Sequence, residues 1–410
     1  MTEIIIDDRR NGLEPTSVLL DYCRRRFIQP YTLILSVVAL SPISTDTTYL
    51  RTIISYMHSC LVIITLIFGY YLQYLSTYRF ADSSASNRKE TYTIQKSTLS
   101  TREPLYIPLS FIYSNLAGFI IPSTLHLFGY VSAIIVWKLF EQEQQKNLIE
   151  RVFLMTKHPK RLCRSVWLLL TFEFAIFILL YMCSKPVNWR NNEWLQKLDQ
   201  YWQLKIKIIL STILFMQEFL EIIILSNYCV ESYLLCIYIT SLSEKLLLHS
   251  LDILHWMRET QEFYTLLHRL NHYVSIPVGF LFIKSTIYAI SSCIHIFGNF
   301  GFLYSHHVII PNVANIVLEL ILCLLPVFMA ASLTQKCKMA KSIGHRIQGR
   351  PFVYHNAPID DLNTVLIFAS SLDMSAELFR IPIKYNYLCF TLLSCLITFL
   401  TMAVYHNLPA

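Results

Sequence analysis

Thr391, Ser394, Thr398 and Thr401 recur at spacings of three, four and three near the end of the chain. On a helix that spacing puts four hydroxyls on one face, and a further step of four reaches Tyr405. The stretch that carries them, Ile381 to His406, holds only Lys384 as a charge. Hydroxyls in such surroundings have two uses. They can bond back to carbonyls of their own helix. They can also line a polar path and stand in for the water around a passing ion. The length of the stripe, and its arrival at Tyr405 and His406, favours the path. No acid lies on it, so it would discriminate poorly among cations.

A second set of residues is charged and sits alone in apolar sequence. Glu173 is the only charge between Ser165 and Ser184, Lys284 between Ile276 and Ser305, and Glu319 between Val308 and Gln335. Glu218, Glu221 and Glu231 interrupt the block from Ile208 to Thr240. A charge in such a helix is costly unless it is paired or hydrated. Lys284 is the basic counterpart available to Glu319, but the directions of the two blocks place Lys284 deeper. Glu218 and Glu221 share a face and are expected to serve hydration or packing near the inner half. Covalent chemistry has no support: there is no HExxH, no GxSxG and no P-loop. His306-His307 is a solvated pair in a short loop, and the 11 cysteines form no CxxC. No enzyme, cofactor or metal centre is expected.

The elements that position these residues follow from composition. Apolar residues make up 54% of the 410, charged residues only 15%, and Gly and Pro number 9 and 15. Soluble domains of this size carry about 25% charge and more turn residues. A helix needs about 20 apolar residues to cross a bilayer. Seven blocks qualify: Thr52 to Leu75, Leu105 to Trp137, Ser165 to Ser184, Ile208 to Thr240, Ile276 to Ser305, Val308 to Gln335 and Ile381 to His406. Tyr31 to Ile43 is too short to cross and reads as an interfacial or re-entrant helix. The fold class is therefore all-α, a polytopic, multi-pass membrane protein with seven transmembrane helices.

Orientation follows from the connections. With the N-terminus inside, cytoplasmic segments hold 21 Lys and Arg and outer segments 10. That bias sets the N-terminus in the cytoplasm and the C-terminus outside. It also accounts for the net charge of +7 without nucleic acid. Three connections carry apolar residues at helical spacing: Glu141 to Met155, Leu242 to His272 and Asp361 to Phe379. Such amphipathic helices lie on a membrane surface or pack together. Their continuity with spans favours packing as a cytoplasmic anchor domain. The chain divides into a cytoplasmic N-terminal segment (1–51), the first four spans (52–240), and the anchor helices with spans five to seven (241–410).

The final third resembles the insect gustatory receptor family, part of the seven-transmembrane insect chemoreceptor superfamily. That family's last span carries Thr-Tyr, five apolar residues and Gln-Phe. Here Thr398-Phe399 precedes five residues and then Tyr405-His406. Glu377-Leu378-Phe379-Arg380-Ile381 is similar to the family's turn before that span, and Leu267 to Asn271 to its Leu-x-x-x-Asn segment.

The resemblance implies a ligand-gated, non-selective cation channel, a homotetramer or a heteromer with related receptors, in contact with membrane lipid. Its pore would be lined by Thr391, Ser394, Thr398, Phe399 and Thr401, with Tyr405 and His406 at the mouth. It also implies a pocket for a small-molecule tastant or metabolite among the outer halves of the spans. The residues there are Tyr113, Asn115, Glu173, Tyr181, Thr212, Gln217, Asn315 and Glu319. An odorant-receptor-type channel subunit and a non-conducting partner subunit are the alternatives.

Overall fold

The computed structural model describes residues 16–41, 53–75, 116–138, 142–189, 199–248, 253–298, 306–343 and 359–386. Helix α1 (Thr16–Cys23) passes through a π-helical turn (Arg24–Ile28) into α2 (Gln29–Val37). Pro30 lies in the first turn of α2, where a missing N–H is tolerated. The helix expected from Tyr31 therefore begins earlier, at Thr16, and stops earlier. It ends because Ala39 turns left-handed (φ 60°), so that Leu35 O accepts from Leu40 N and Ser41 N. Ser59 Oγ holds the turn through Ala39 O at 3.2 Å.

The apolar helices follow: α3 (Ile53–Leu75), then α4 (Ile121–Val136) after a π turn at Leu116–Ile120. Lys138, just past α4, donates to Ser55 O at 3.0 Å and Ser59 Oγ at 2.6 Å, tying the two helices together. Burial holds its pKa below the ordinary lysine value. Next come α5 (Gln142–Met155), α6 (Pro159–Trp189) and the 48-residue α7 (Gln200–Leu247). Helix α8 (Ile253–Arg269) runs through a π turn (Leu270–Val274) into α9 (Ser275–Gly298). Helices α10 (His306–Lys341) and α11 (Ile359–Ser371) complete the set. Among the described residues, six helices are long and apolar enough to cross a membrane. All but the first six residues of the seventh expected span lie outside the described residues, as do all its expected pore residues.

Helix α7 is the spine. At 1.5 Å per residue it runs about 70 Å, more than twice a hydrocarbon core. From Leu220 to Ile239, in its C-terminal half, it is buried on nearly every side, with a few polar groups such as Asn227 and Glu231 enclosed among apolar ones. Helices α5 and α8 pack at that half, and α11 packs in turn on α8 and α10. The amphipathic pattern of α8 buries Trp256, Phe263 and Leu267, and Trp256 stands edge-on to Phe368 of α11. Polar contacts fix the packing: Tyr238 Oη donates to Glu259 Oε2 at 2.5 Å, and Arg151 pairs with Glu262. A buried clasp adds the N-terminal helix. Tyr31 Oη and Gln145 Nε2 both donate to Asn227 Oδ1 (2.5 and 2.7 Å), while Gln145 and Asn227 amides each reach Glu231 Oε1 at 3.1 Å.

The helix expected through Phe379 ends instead at Ser371. The reason lies in two side chains that take the backbone groups a helix would use. Asn271 Nδ2 donates to Ser375 O at 2.8 Å and its Oδ1 accepts from Glu377 N at 2.9 Å. Thr334 Oγ1 accepts from Ala376 N at 3.0 Å. A minimal hairpin follows, β1 (Glu377–Leu378) paired with β2 (Ile381–Pro382), Leu378 opposite Ile381. Its two turn residues, Phe379 and Arg380, have φ of 52° and 64°. Hairpin turns with both centres left-handed favour Asn and Gly. Packing compensates here, for the Phe379 ring occupies the space where a Cβ on Gly279 would stand.

Candidate ligand site

Four helices bring charged groups together inside the bundle. Lys284 of α9 lies between two carboxylates: its Nζ is 2.7 Å from Glu221 Oε2 on α7 and 3.1 Å from Glu319 Oε1 on α10. All three side chains are buried. Ser285, the next residue on α9, donates to Glu221 Oε1 at 3.2 Å. From α4, His126 places Nε2 3.9 Å from Glu221 Oε2. That nitrogen also lies 3.2 Å from Gln217 O, a carbonyl, so it carries the proton. The other ring nitrogen, Nδ1, shares a hydrogen bond with Tyr70 Oη of α3 at 2.5 Å. Two carboxylates thus face one ammonium.

The rim of the cluster is polar and aromatic. Gln217 stands one turn before Glu221 and accepts at Oε1 from Gln73 Nε2 at 2.8 Å. Tyr288, one turn beyond Lys284, accepts from Asn315 Nδ2 at 3.0 Å and offers its ring to the ammonium at 5.9 Å. Two buried atoms, Glu319 Oε2 and Gln217 Nε2, make no hydrogen bond among the described residues. A site with an acceptor and a donor unspent, walled by tyrosines, can hold a small polar organic molecule.

The expected pocket residues separate into three groups. Gln217, Asn315 and Glu319 come together at this cluster. Tyr181 lies to one side, between α6 and α7, its Oη 2.5 Å from Ser211 Oγ and its ring edge-on to Phe215. Glu173 is buried deeper, beside Ser226 and Cys229, and neither of its oxygens has a hydrogen-bond partner among the described residues. Thr212 is exposed, and its hydroxyl bonds back to Ile208 O at 2.9 Å. Tyr113 and Asn115 lie outside the described residues.

Two readings of the sequence are corrected. Lys284 reaches Glu319 and pairs with it, where the sequence predicts a deeper position that keeps them apart. Glu221 faces this cluster, bonded to Lys284 and Ser285. His126, Tyr70 and Tyr288 were not singled out, since an isolated His or Tyr in an apolar block carries no spacing signal. The signal that was available is charge bookkeeping: one lysine among several membrane-depth acids must lie near more than one of them.

A bundle of apolar helices enclosing a polar, charge-bearing site defines a polytopic membrane protein. No family model matches the sequence, and no curated protein matches it. Among solved structures, the chain has the fold of the insect olfactory receptor OR5 from Machilis hrabei. The TM-score is 0.62 at 12% identity, over 93% of this chain and 99% of that one. The same receptor in complex with eugenol gives 0.60 at 13% identity, over 95% and 99%. The expected all-α bundle of membrane-length apolar helices is thus met in the fold, with six such helices among the described residues. What is shared at this identity is the arrangement of helices.

Proposed function

We propose that the chain is a chemosensory receptor of the gustatory type, acting as a ligand-gated, non-selective cation channel. Four copies surround a central pore lined by the last span, in the plasma membrane with the N-terminus inside. The observation that carries this reading is likeness to an insect olfactory receptor along nearly the whole of both chains. Two features support it. One of the matched structures holds a small molecule, eugenol. The sequence also places four hydroxyls on one face of the last span. The small-molecule ligand binds at the Lys284 cluster, where Glu319 Oε2 and Gln217 Nε2 await partners. Permeation of cations follows the hydroxyl stripe, and no catalytic step, cofactor or metal takes part.

The test is current from cells expressing the chain alone, challenged with a panel of small organic compounds that includes eugenol. The reading expects ligand-evoked current with similar sodium and potassium permeability. Strong selectivity for calcium over sodium would contradict the acid-free stripe. A second reading rests on Tyr405-His406, which replace the family's Gln-Phe pair. If the chain reaches the surface and conducts only beside a related receptor, it is a partner subunit.

A further inference from the structure

Arg161 and Arg164 begin a single face of α6. That face continues through Leu168, Phe172, Leu179 and Met182, which all lie within about 80° of one another on a helix. These four apolar side chains are 50–65% exposed, while Glu173, Ile176, Phe177 and Leu180 are buried on the opposite face. An exposed apolar stripe on a membrane helix faces hydrocarbon. The two arginines stand at the N-terminal end of that stripe.

The π turn of the N-terminal helix completes the patch. Trp167 Nε1 donates to Arg26 O at 3.2 Å, and its indole stands edge-on to Phe27 with centroids 6.3 Å apart. Tyr22 lies in the fields of both Arg26 and Arg164. Arg24, Arg26, Arg161 and Arg164 are exposed and have no carboxylate partner among the described residues. Arg25, between the first two, is paired with Asp21 at 3.1 Å. The first turn of α6 contains Lys160 and Arg161 and no acid. Cations there oppose the helix dipole, and an anion at the same place removes that conflict.

We propose that Arg26, Arg161 and Arg164 bind the phosphate headgroup of an anionic phospholipid, whose acyl chains lie along the Leu168–Met182 face. Acidic lipids concentrate in the cytoplasmic leaflet, the side where the excess of basic residues puts this end of the bundle. A soluble anion would use the arginines but not the apolar stripe above them. The inference is independent of the channel reading and needs only that α6 crosses the membrane with its N-terminal end on the cytoplasmic side.

The test uses the full chain purified in detergent and three probes: dioctanoyl phosphatidylinositol 4-phosphate, dioctanoyl phosphatidylcholine, and free inositol 1,4-bisphosphate. The phosphoinositide should bind at least about tenfold more tightly than either other probe. Each arginine near a membrane surface contributes about fivefold, so R161Q/R164Q should weaken it about 25-fold. R26Q, on a separate element, should weaken it about fivefold, and it decides the matter if the double variant fails to fold. R258Q, at an exposed arginine on α8, should change nothing. Equal binding of phosphatidylcholine, equal binding of the free headgroup, or an equal loss in R258Q would each overturn the proposal.

Discussion

Asn271 and Glu377, far apart in sequence, are joined by a hydrogen bond from the Glu377 backbone N–H to Asn271 Oδ1 at 2.9 Å. The same amide donates to Ser375 O, so one side chain closes the approach to the last span. Asn271→Asp keeps the acceptor and loses the donor, leaving Ser375 O beside a carboxylate. The expected loss is about 1–3 kcal/mol, concentrated in this segment. Hydrogen–deuterium exchange of residues 371–384 should rise in Asn271→Asp, and rise further in Asn271→Ala. Unchanged exchange in both variants would show that the amide does not hold the hairpin.

The sequence announced parts of this arrangement and hid others. Six apolar helices were legible because about 20 uncharged residues in a row have few other solutions. The α8 pattern was legible because Phe263, Leu266, Leu267 and Leu270 recur at helical spacing, although Leu254 of the same series is exposed. The hairpin was not, since Phe379-Arg380 is a poor turn pair by local rule and is imposed by packing on Gly279. The candidate ligand site was half legible. Glu319, Gln217 and Asn315 stood out as polar residues in apolar blocks. Their meeting with Glu221 depends on the relative heights of α7, α9 and α10, which a single sequence does not encode.

Lys284→Met should leave Glu221 and Glu319 buried together without a counter-charge. Removing one member of a buried ionic group costs about 3–5 kcal/mol. Thermal unfolding in detergent should therefore shift downward by several degrees, and Lys284→Arg should shift it less. Neutralising the acids as well, in E221Q/K284M/E319Q, should recover most of the loss. A wild-type transition in Lys284→Met would mean that the ammonium does not hold the three helices together.

Gly279→Ala places a methyl group where the Phe379 ring now sits. The ring must leave its notch, and the two left-handed turn residues lose the contact that compensates them. Phe379→Ala removes the ring and with it the conflict. The double variant should thus be more stable than the sum of the two single losses by about 1 kcal/mol. Strict additivity in a double-mutant cycle would separate the glycine from the turn.

Tyr405 and His406 are proposed to stand at the pore mouth. An imidazole titrates near pH 6.5, so channel current should vary between about pH 5.5 and 7.5. That variation should vanish in His406→Ala, while Tyr405→Ala should raise conductance or basal opening by removing an aromatic constriction. Both variants behaving as wild type in conductance, selectivity and pH response would remove these residues from the pore.

The central claim is that four copies of this chain enclose one ion path. Two-dimensional class averages of the purified full chain, imaged by electron microscopy in detergent or nanodiscs, test it without knowledge of the ligand. The account predicts a fourfold ring of subunits around a central axis, joined at the end formed by α5, α8 and α11. A monodisperse monomer with the same helices would contradict it.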